Sequence, residues 1–312
     1  MRPARGFSHR PMAVQLLGVA LGVAFLSGCH NWSNLRGRSP LAPAPAVSAA
    51  VPTSSQLVRY LNDNAKRMQT LEVRELQMDA TQKLRSIGMS GQMVAQKPNN
   101  FRLVARVGGT TVCDLGSNQQ EFWYWLSKAD PPYLFHCSHQ DFARVPPERM
   151  PFPFQPEWVI EALGMAELDP NGNYEVITNP RTIELVERTK TPQGLPVRKK
   201  TVFNRADSAV QVVAHLLEDQ NGKTICAAYV REVQHDPATG AVVPRRVELV
   251  WPEQSIKLKL KLNEVSVNRP MSPERSARLF ARPQLRDVRT YDLAGGIGQP
   301  TGLRPVGGYR LR

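Results

Sequence analysis

A two-residue alternation of apolar and charged side chains runs through IKLKLKLNEVSV, residues 256–267. Successive side chains of a β-strand point to opposite faces, so the leucines and the lysines of this stretch lie on different sides. The sequence therefore predicts a sheet with one wet, basic face and one apolar face that another layer must cover. The apolar side of this strand, a candidate wall for a cavity, consists of Leu258, Leu260 and Leu262.

The same period of two recurs along most of the chain, from about residue 73 to residue 267. Short alternating segments are separated by Gly, Asn, Asp and Pro signals, such as DPNGN, TPQGLP, DQNGK and DPATG. These are the residues that favour hairpin turns. A dozen or so antiparallel strands are predicted, which makes the fold mainly β.

Only three segments favour helices. In SSQLVRYLNDNAKRMQTL, residues 54–71, apolar residues recur every three to four positions, and Ser54 and Ser55 are candidate N-caps. QPEWVIEALGM, residues 155–165, and PERSARLFA, residues 273–281, predict two shorter helices. These helices are the available cover for the apolar face.

The N-terminus carries the marks of an export signal. Three arginines precede MAVQLLGVALGVAFL, an uncharged run that ends in LSGC. The run is short for a membrane span, which needs roughly 20 residues. LSGC resembles the bacterial lipobox, in which the cysteine is lipidated and becomes the mature N-terminus. We therefore predict a signal peptide over 1–28 and lipid attachment at Cys29.

The segment after Cys29 predicts a tether. Residues 29–54 are rich in Pro, Ala and Ser, a composition that stays extended instead of folding. The folded domain is predicted over 55–283, and 284–312 is predicted to be a flexible basic tail. The chain would thus be held on a membrane, which we expect to be the outer membrane, with the domain facing the periplasm.

Charge and cysteine content leave several interpretations open. The formal charge is +13, from 40 Lys and Arg against 27 Asp and Glu. In an exported lipoprotein this balance indicates anionic headgroups, an acidic polymer or merely a solvated surface, and it disfavours nucleic acid as a partner. Cys113 and Cys137 either pair across strands in an oxidising compartment or, like Cys226, serve as small buried side chains.

No motif points to catalysis, a cofactor or a metal. The chain lacks a G-x-S-x-G elbow, an H-E-x-x-H helix and a phosphate-binding glycine loop. In HCSH, residues 136–139, the two histidines fall on opposite faces of a strand, which argues against a shared metal. The sequence therefore predicts a binding protein and not an enzyme.

An aromatic strand, EFWYWL, follows closely on QKPNNF. In a strand, Phe122 and Tyr124 point one way, and Trp123 and Trp125 point the other way. One set is expected to line a cavity and the other to lie on the opposite face, or both belong to ordinary core. The pattern does not say which set faces inward.

The stretch SGQMVAQKPNNFRLVARVGGTTVCDLGSNQQEFWYW resembles the central part of the LolA/LolB-like family of bacterial lipoprotein carriers. That family shows a Gly-containing strand, a basic residue before Pro-Asn, a Phe strand, and an Asp-Gly turn into an aromatic strand. The late segment VPRRVELVWPEQSIKLKLKLNEVSVN is similar to the family's final hairpin. The residues in the matching places are Gly91, Lys97, Pro98, Asn99, Phe101, Asp114, Gly116, Phe122 and Trp123.

The resemblance implies an incomplete antiparallel β-barrel of about eleven strands, covered by a few helices around an apolar cavity for acyl chains. It also implies that Lys97 contacts the end of a lid helix, although the family usually has Arg at this position and Lys lacks its planar fork. Anchored members insert an exposed apolar loop into the membrane, which no segment of this sequence identifies. The implied cavity or lid residues are Lys97, Phe101, Phe122, Trp123, Trp125, Leu258, Leu260 and Leu262.

The leading hypothesis is a membrane-anchored lipoprotein that binds the acyl chains of lipids or lipoproteins for envelope transport or sorting. A second hypothesis is a structural envelope lipoprotein that holds an acidic polymer on its basic face. A third is a sensor that uses the same fold to regulate a partner.

Overall fold

The computed structural model describes residues 51–146, 149–150, 156–205 and 211–295. Within these ranges the helices are α1 (Ser54–Lys66), α2 (Pro156–Ala162) and α3 (Pro273–Leu279), and one turn of 3-10 helix spans Phe142–Arg144. The strands are β1 (Thr70–Gln82), β2 (Arg85–Gln96), β3 (Asn100–Val107), β4 (Thr110–Ser117), β5 (Glu121–Leu126), β6 (Leu134–Ser138), β7 (Tyr174–Thr178), β8 (Thr182–Lys190), β9 (Pro196–Asn204), β10 (Val212–Asp219), β11 (Thr224–His235), β12 (Val242–Trp251), β13 (Ile256–Val267) and β14 (Thr290–Asp292).

All fourteen strands belong to one sheet, in the order β14-β6-β5-β4-β3-β2-β1-β13-β12-β11-β10-β9-β8-β7. Every neighbouring pair is antiparallel except β14 with β6. The two ends of this order, β14 and β7, do not pair with each other, so the sheet is not closed. The predicted fold class, an incomplete antiparallel barrel covered by a few helices, is confirmed, with fourteen strands where about eleven were expected.

The sheet has two distinct faces. We call the inner face the one that carries Val73, Met93, Leu103 and Leu115, which stand opposite one another across β1 to β4. The leucines of β13 continue this face, because Leu260 stands opposite Met78 of β1. The lysines of β13 lie on the outer face, as the alternation predicts. Helices α1 and α2 pack on the inner face, and α3 packs on the outer face.

The N-cap of helix α1 lies one residue before the two predicted candidates, Ser54 and Ser55. This N-cap is Thr53, whose hydroxyl accepts from the Gln56 backbone N–H while the Gln56 side chain accepts from Thr53 N–H. This reciprocal pair is a capping box. A serine N-cap at position 54 or 55 would lack a Glu or Gln three residues later and could not form one. The apolar residues Leu57 and Val58 of α1 form a buried cluster with Ile183 and Leu185 of β8 and Phe203 of β9.

The segment predicted to be a flexible tail begins inside the folded part. Thr290–Asp292 forms β14 against β6, Leu293 is fully buried, and the Tyr291 ring lies 5.5 Å from that of Phe135. The prediction misses this strand because three residues with little alternation carry no local signal. The folded part thus extends to residue 295 where the sequence predicts its end at 283, and the rest of the predicted tail, 296–312, lies outside the described residues.

The predicted signal peptide, Cys29 and most of the tether also lie outside the described residues. Among the residues that are described, no helix has both the length and the apolar character needed to cross a membrane. The three remaining cysteines, Cys113, Cys137 and Cys226, are buried free thiols. Cys113 and Cys137 sit on β4 and β6, which β5 separates, so they are not cross-strand neighbours.

Candidate functional site

An apolar cavity lies between α2 and the inner face of the sheet. Its walls come from β2, β3 and β4 on one side and from β12 and β13 on the other, and α2 forms the cover. None of the described side chains that line it carries a charge. They are Met93, Phe101, Leu103, Leu115, Val159, Ala162, Leu163, Val247, Leu249, Trp251, Leu258, Leu260 and Leu262.

This cavity is nearly closed. Its volume is about 40 Å³, whereas pockets that hold small-molecule ligands occupy roughly 300–1,000 Å³. Val159, Ala162 and Leu163 come from α2 and the residue after it, so they are the cover residues that fill the space. A volume of about 40 Å³ does not accommodate an acyl chain, so its entry requires the lining of the cavity to move.

Four of the residues predicted from the sequence line this cavity, namely Phe101, Leu258, Leu260 and Leu262. Phe122 lies on the inner face beside the cavity, where its ring packs edge-on against Phe142 at 4.9 Å. Of the two candidate sets in the aromatic strand, Phe122 and Tyr124 therefore face inward. The role of each residue in binding stays a prediction.

Trp123 and Trp125 do not face the cavity. Trp123 is fully buried on the outer face, where its indole N–H donates to Asp114 Oδ1 at 3.1 Å. Asp114 also accepts from Arg102 Nη2 at 2.8 Å, and Arg102 Nη1 donates to the Leu279 carbonyl at the end of α3. The Trp123 side chain thus belongs to a polar cluster that attaches α3 to the sheet.

Asp114 and Gly116 do not form the Asp-Gly turn that the resemblance implies. Both lie within β4, and the turn is made by the residues that follow Ser117. Any side chain at position 116 would collide with the ring of Trp123. The spacing of Asp114, Gly116 and Trp123 is therefore explained by packing on the outer face.

Lys97 lies in the turn between β2 and β3, and its side chain reaches the C-terminal end of α1. The side chain is mostly buried, with 15% of it exposed. Its ammonium donates to the Ala65 carbonyl at 2.8 Å and to Glu167 Oε1 at 2.9 Å. Glu167 belongs to the segment that follows α2, so Lys97 joins the end of α1 to the continuation of the cover. This is the type of contact that the resemblance implies, and its role as a latch stays a prediction.

Two asparagines of α1 attach this helix to two different segments, the one that follows α2 and the start of β12. Asn62 makes reciprocal hydrogen bonds of 2.8 Å with the backbone of Leu168, and Asn64 does the same with Val242 at 3.0 and 2.7 Å. Each amide satisfies one backbone N–H and one carbonyl. The cover is therefore anchored behind α2, while α2 itself contacts the sheet through apolar side chains and Glu161.

We expect Lys97→Leu to change the rates of acyl-chain uptake and release while it lowers the free energy of unfolding by only about 1 kcal/mol. The lost contacts are one ion pair with a half-exposed carboxylate and one bond to a helix C-terminus, each of modest value. Stopped-flow fluorescence with a labelled fatty acid measures both rates. Lys66→Leu, an exposed lysine of the same helix end, is the matched control. Equal rates in both variants would leave Lys97 without a latch role.

The two histidines of HCSH have separate surroundings. His136 Nδ1 lies 3.6 Å from Glu121, and burial, followed by the charge of Arg282, lowers the pKa of His136. His139 Nε2 lies 2.8 Å from the Asn118 carbonyl. Across the described part of the chain, no group of three or more His, Cys, Asp or Glu residues is arranged to hold a metal ion.

Two features of the structure have no counterpart in the sequence analysis. Leu84 is fully exposed at the tip of the β1–β2 hairpin, between Lys83 and Arg85, and a single exposed leucine gives no periodic signal. A cluster of polar side chains lies beside the apolar cavity: Glu161 and His215 are largely buried, and Lys199 is partly exposed. These three residues come from α2, β9 and β10, so no local motif could have brought them together.

No protein-family model matches the chain, and a search of curated proteins gives no match. Among solved structures, the chain is similar to a DUF1329 family protein from Desulfovibrio piger, at 8% identity and a TM-score of 0.46, with 70% of this chain and 93% of that chain covered. It is also similar to a domain named as an outer membrane lipoprotein-sorting protein from Vibrio parahaemolyticus, at 6% identity and a TM-score of 0.48, covering 72% and 98%. A LolA superfamily protein from Nitrosomonas europaea aligns at 9% identity and a TM-score of 0.46, covering 74% and 99%.

The last of these structures bears the family name that the sequence resemblance points to. With identities below 10% and TM-scores below 0.5, the alignments carry no conclusion about function. The fold is established by the strand order and the helices described above. The function has to be argued from the cavity.

Proposed function

We propose that this protein is a membrane-anchored bacterial lipoprotein that binds the acyl chains of lipids or lipoproteins and serves envelope transport or sorting. The observation that carries the proposal is a cavity whose lining residues are all apolar and whose cover is a single seven-residue helix. An apolar chain placed there is stabilised by burial at about 25 cal/mol per Å². Cys29 would hold the protein at the outer membrane, with the domain facing the periplasm.

Uptake in this proposal is a shift between a closed and an open state. The closed state has a cavity of about 40 Å³, which excludes an acyl chain. A ligand that binds only the open state draws the population toward it by its own binding free energy. No bond is made or broken, so the proposed activity is binding and transfer without catalysis.

Leu84 supports the membrane part of the proposal. A fully exposed leucine between two basic residues suits the boundary between acyl chains and anionic headgroups. It is a candidate for the exposed apolar loop that the family resemblance implies. The placement of this tip at a membrane is part of the proposal.

The outer face gives less support to the alternative function, which is the binding of an acidic polymer. Lys257 is paired with Glu248 at 3.1 Å, and Arg246 is paired with Glu232 at 3.1 Å. Desolvation acts to raise the pKa of Glu248, but hydrogen bonding and charge from Lys257 and Arg231 outweigh it and lower that pKa. Since many basic groups of this face already have carboxylate partners, an acidic polymer would have to compete with them.

The test is binding of a fluorescent fatty acid to the protein at low and moderate salt. We expect stoichiometric binding that changes little with salt, because apolar burial is not screened. Val159→Asp places a charge on the cavity side of α2 and should weaken binding by at least about tenfold, since burying an unpaired carboxylate is costly. Val107→Asp is the matched control, because Val107 is exposed and does not line the cavity. Salt-sensitive binding of an acidic polymer, with no binding of the fatty acid, would contradict the proposal.

A further inference from the structure

A second cavity lies beside the apolar one, between α1 and α2 and above β9 to β12. Its volume is about 60 Å³, and Ala162 of α2 lines both cavities. Unlike its neighbour, this cavity has polar side chains in its walls, among them Tyr60, Glu161, Thr201 and His215. The two cavities are neighbours on either side of Ala162, one apolar and one with polar groups, which suits the two ends of an amphiphile.

Among the described residues that line the polar cavity, Glu161 is the one that carries a full charge. Its side chain is 13% exposed, and Oε2 accepts from Lys199 Nζ at 3.0 Å. The other oxygen, Oε1, makes no hydrogen bond to any described residue. One acceptor of a buried carboxylate is therefore left for a ligand.

His215 supplies a second polar group to the walls of this cavity. The residue is 5% exposed, and its Nδ1 lies 3.3 Å from the Thr201 hydroxyl. Within the described residues, no hydrogen bond is made by Nε2. Burial lowers the pKa of His215, so the ring is neutral at pH 7 and adds no positive charge to the cavity. When the Thr201 hydroxyl accepts from Nδ1–H, Nε2 is an acceptor.

Carboxylates near the polar cavity affect the pKa values of two neighbouring groups. Burial acts to lower the pKa of Lys199, yet the carboxylates of Glu161, Glu187 and Glu157 outweigh it and raise that pKa. Desolvation, helped by Glu187, Asp169 and Glu161, raises the pKa of Tyr174 to about 12. Lys199 is already paired and does not line the cavity, so an anion would face Glu161 without a free cation beside it.

We propose that the polar cavity binds the primary ammonium of an amphiphile whose apolar chain occupies the neighbouring cavity. The ammonium would donate to Glu161 Oε1 and to His215 Nε2. This inference rests on the proposed function, because it assumes that the apolar cavity takes an alkyl chain. It adds a preference: cationic single-chain amphiphiles should bind better than neutral or anionic ones of the same length.

The experiment compares the affinities of dodecylamine, dodecanol and dodecanoate for the full chain. We expect the wild type to prefer dodecylamine over dodecanol by at least about tenfold, as for a hydrogen bond to a charged group. Glu161→Gln should abolish this preference, measured as the ratio of the affinities for dodecylamine and dodecanol. Glu157→Gln, on the same helix but about half exposed, is the matched control and should keep the preference.

Lys199→Met distinguishes between two roles of Glu161, namely binding a ligand and only attaching α2 to the sheet. If Glu161 only fastened α2 to the sheet, Lys199→Met and Glu161→Gln would change the binding of all three probes in the same way. If Glu161 holds the ammonium, Lys199→Met should keep or strengthen the preference for dodecylamine, because it removes a competing cation. A comparison of lysophosphatidylethanolamine with lysophosphatidylglycerol then distinguishes a lipid headgroup from a simple amine as the source.

The possible failures are distinguishable. Equal affinity for all three probes, or tighter binding of dodecanoate, overturns the ammonium site and leaves the acyl-binding function standing. A preference for dodecylamine that survives Glu161→Gln also overturns the site. Absence of binding for every probe contradicts the proposed function itself.

Discussion

Cys29→Ser is expected to move the protein from the membrane pellet to the soluble fraction. The lipobox-like LSGC predicts that Cys29 carries the acyl chains that attach the protein, and each buried CH₂ contributes about 0.8 kcal/mol. Serine has no thiol for this modification, so the loss of attachment should be complete. Metabolic labelling with a fatty acid, followed by fractionation of the cells, measures both the modification and the location.

The control is Cys226→Ser, which alters a buried thiol inside the domain. That variant should retain the label and stay with the membrane as long as it folds. Fatty-acid labelling of Cys29→Ser would contradict the predicted site of lipidation. An unlabelled Cys29→Ser that still pelleted with membranes would show that another part of the chain, such as the hairpin tip at Leu84, is sufficient for attachment.

Asp114→Ala should lower the free energy of unfolding by about 3–5 kcal/mol, the range for breaking a buried ion pair. Asp114 is 3% exposed and is the partner of both the Arg102 guanidinium and the Trp123 indole N–H. Its removal leaves a mostly buried cation and a buried donor without this acceptor. Urea denaturation followed by circular dichroism measures the change.

Glu175→Ala tests the same chemistry at the surface. Glu175 pairs with Arg188 at 3.2 Å, and both side chains are more than half exposed. The expected loss is about 0–1 kcal/mol, because water and salt screen such a pair. If Asp114→Ala costs no more than Glu175→Ala, the cluster under α3 is not the stabilising element that its burial indicates.

The stretch that resembles the LolA/LolB-like family contains residues that are explained by different physical causes. Phe101 lines the cavity and Lys97 lies at the junction of α1 with the cover, as the resemblance implies. Asp114 and Gly116 instead serve the outer face, where they accommodate Trp123. Residues that follow one another in a motif therefore split between the two faces of the sheet.

Several features could be predicted from the sequence because they depend only on neighbouring residues. Strand alternation placed Leu258, Leu260 and Leu262 on one face and the lysines of β13 on the other. The three-to-four-residue period located α1, and the turn signals separated the strands. Each of these is a local property of the backbone, so one window of sequence contains all the information needed.

Other features were decided only by the tertiary structure, because they depend on which strands become neighbours. The inward set of the aromatic strand followed from the pairing of β5 with β4, where Tyr124 stands opposite Leu115. Strand β14 exists because β6 offers an edge, although its own residues show no strand pattern. The polar cavity requires Glu161 to meet His215, 54 positions along the numbering, and only the packing of α2 over β10 brings these side chains together. Such contacts are set by register and packing between distant segments, which no local pattern encodes.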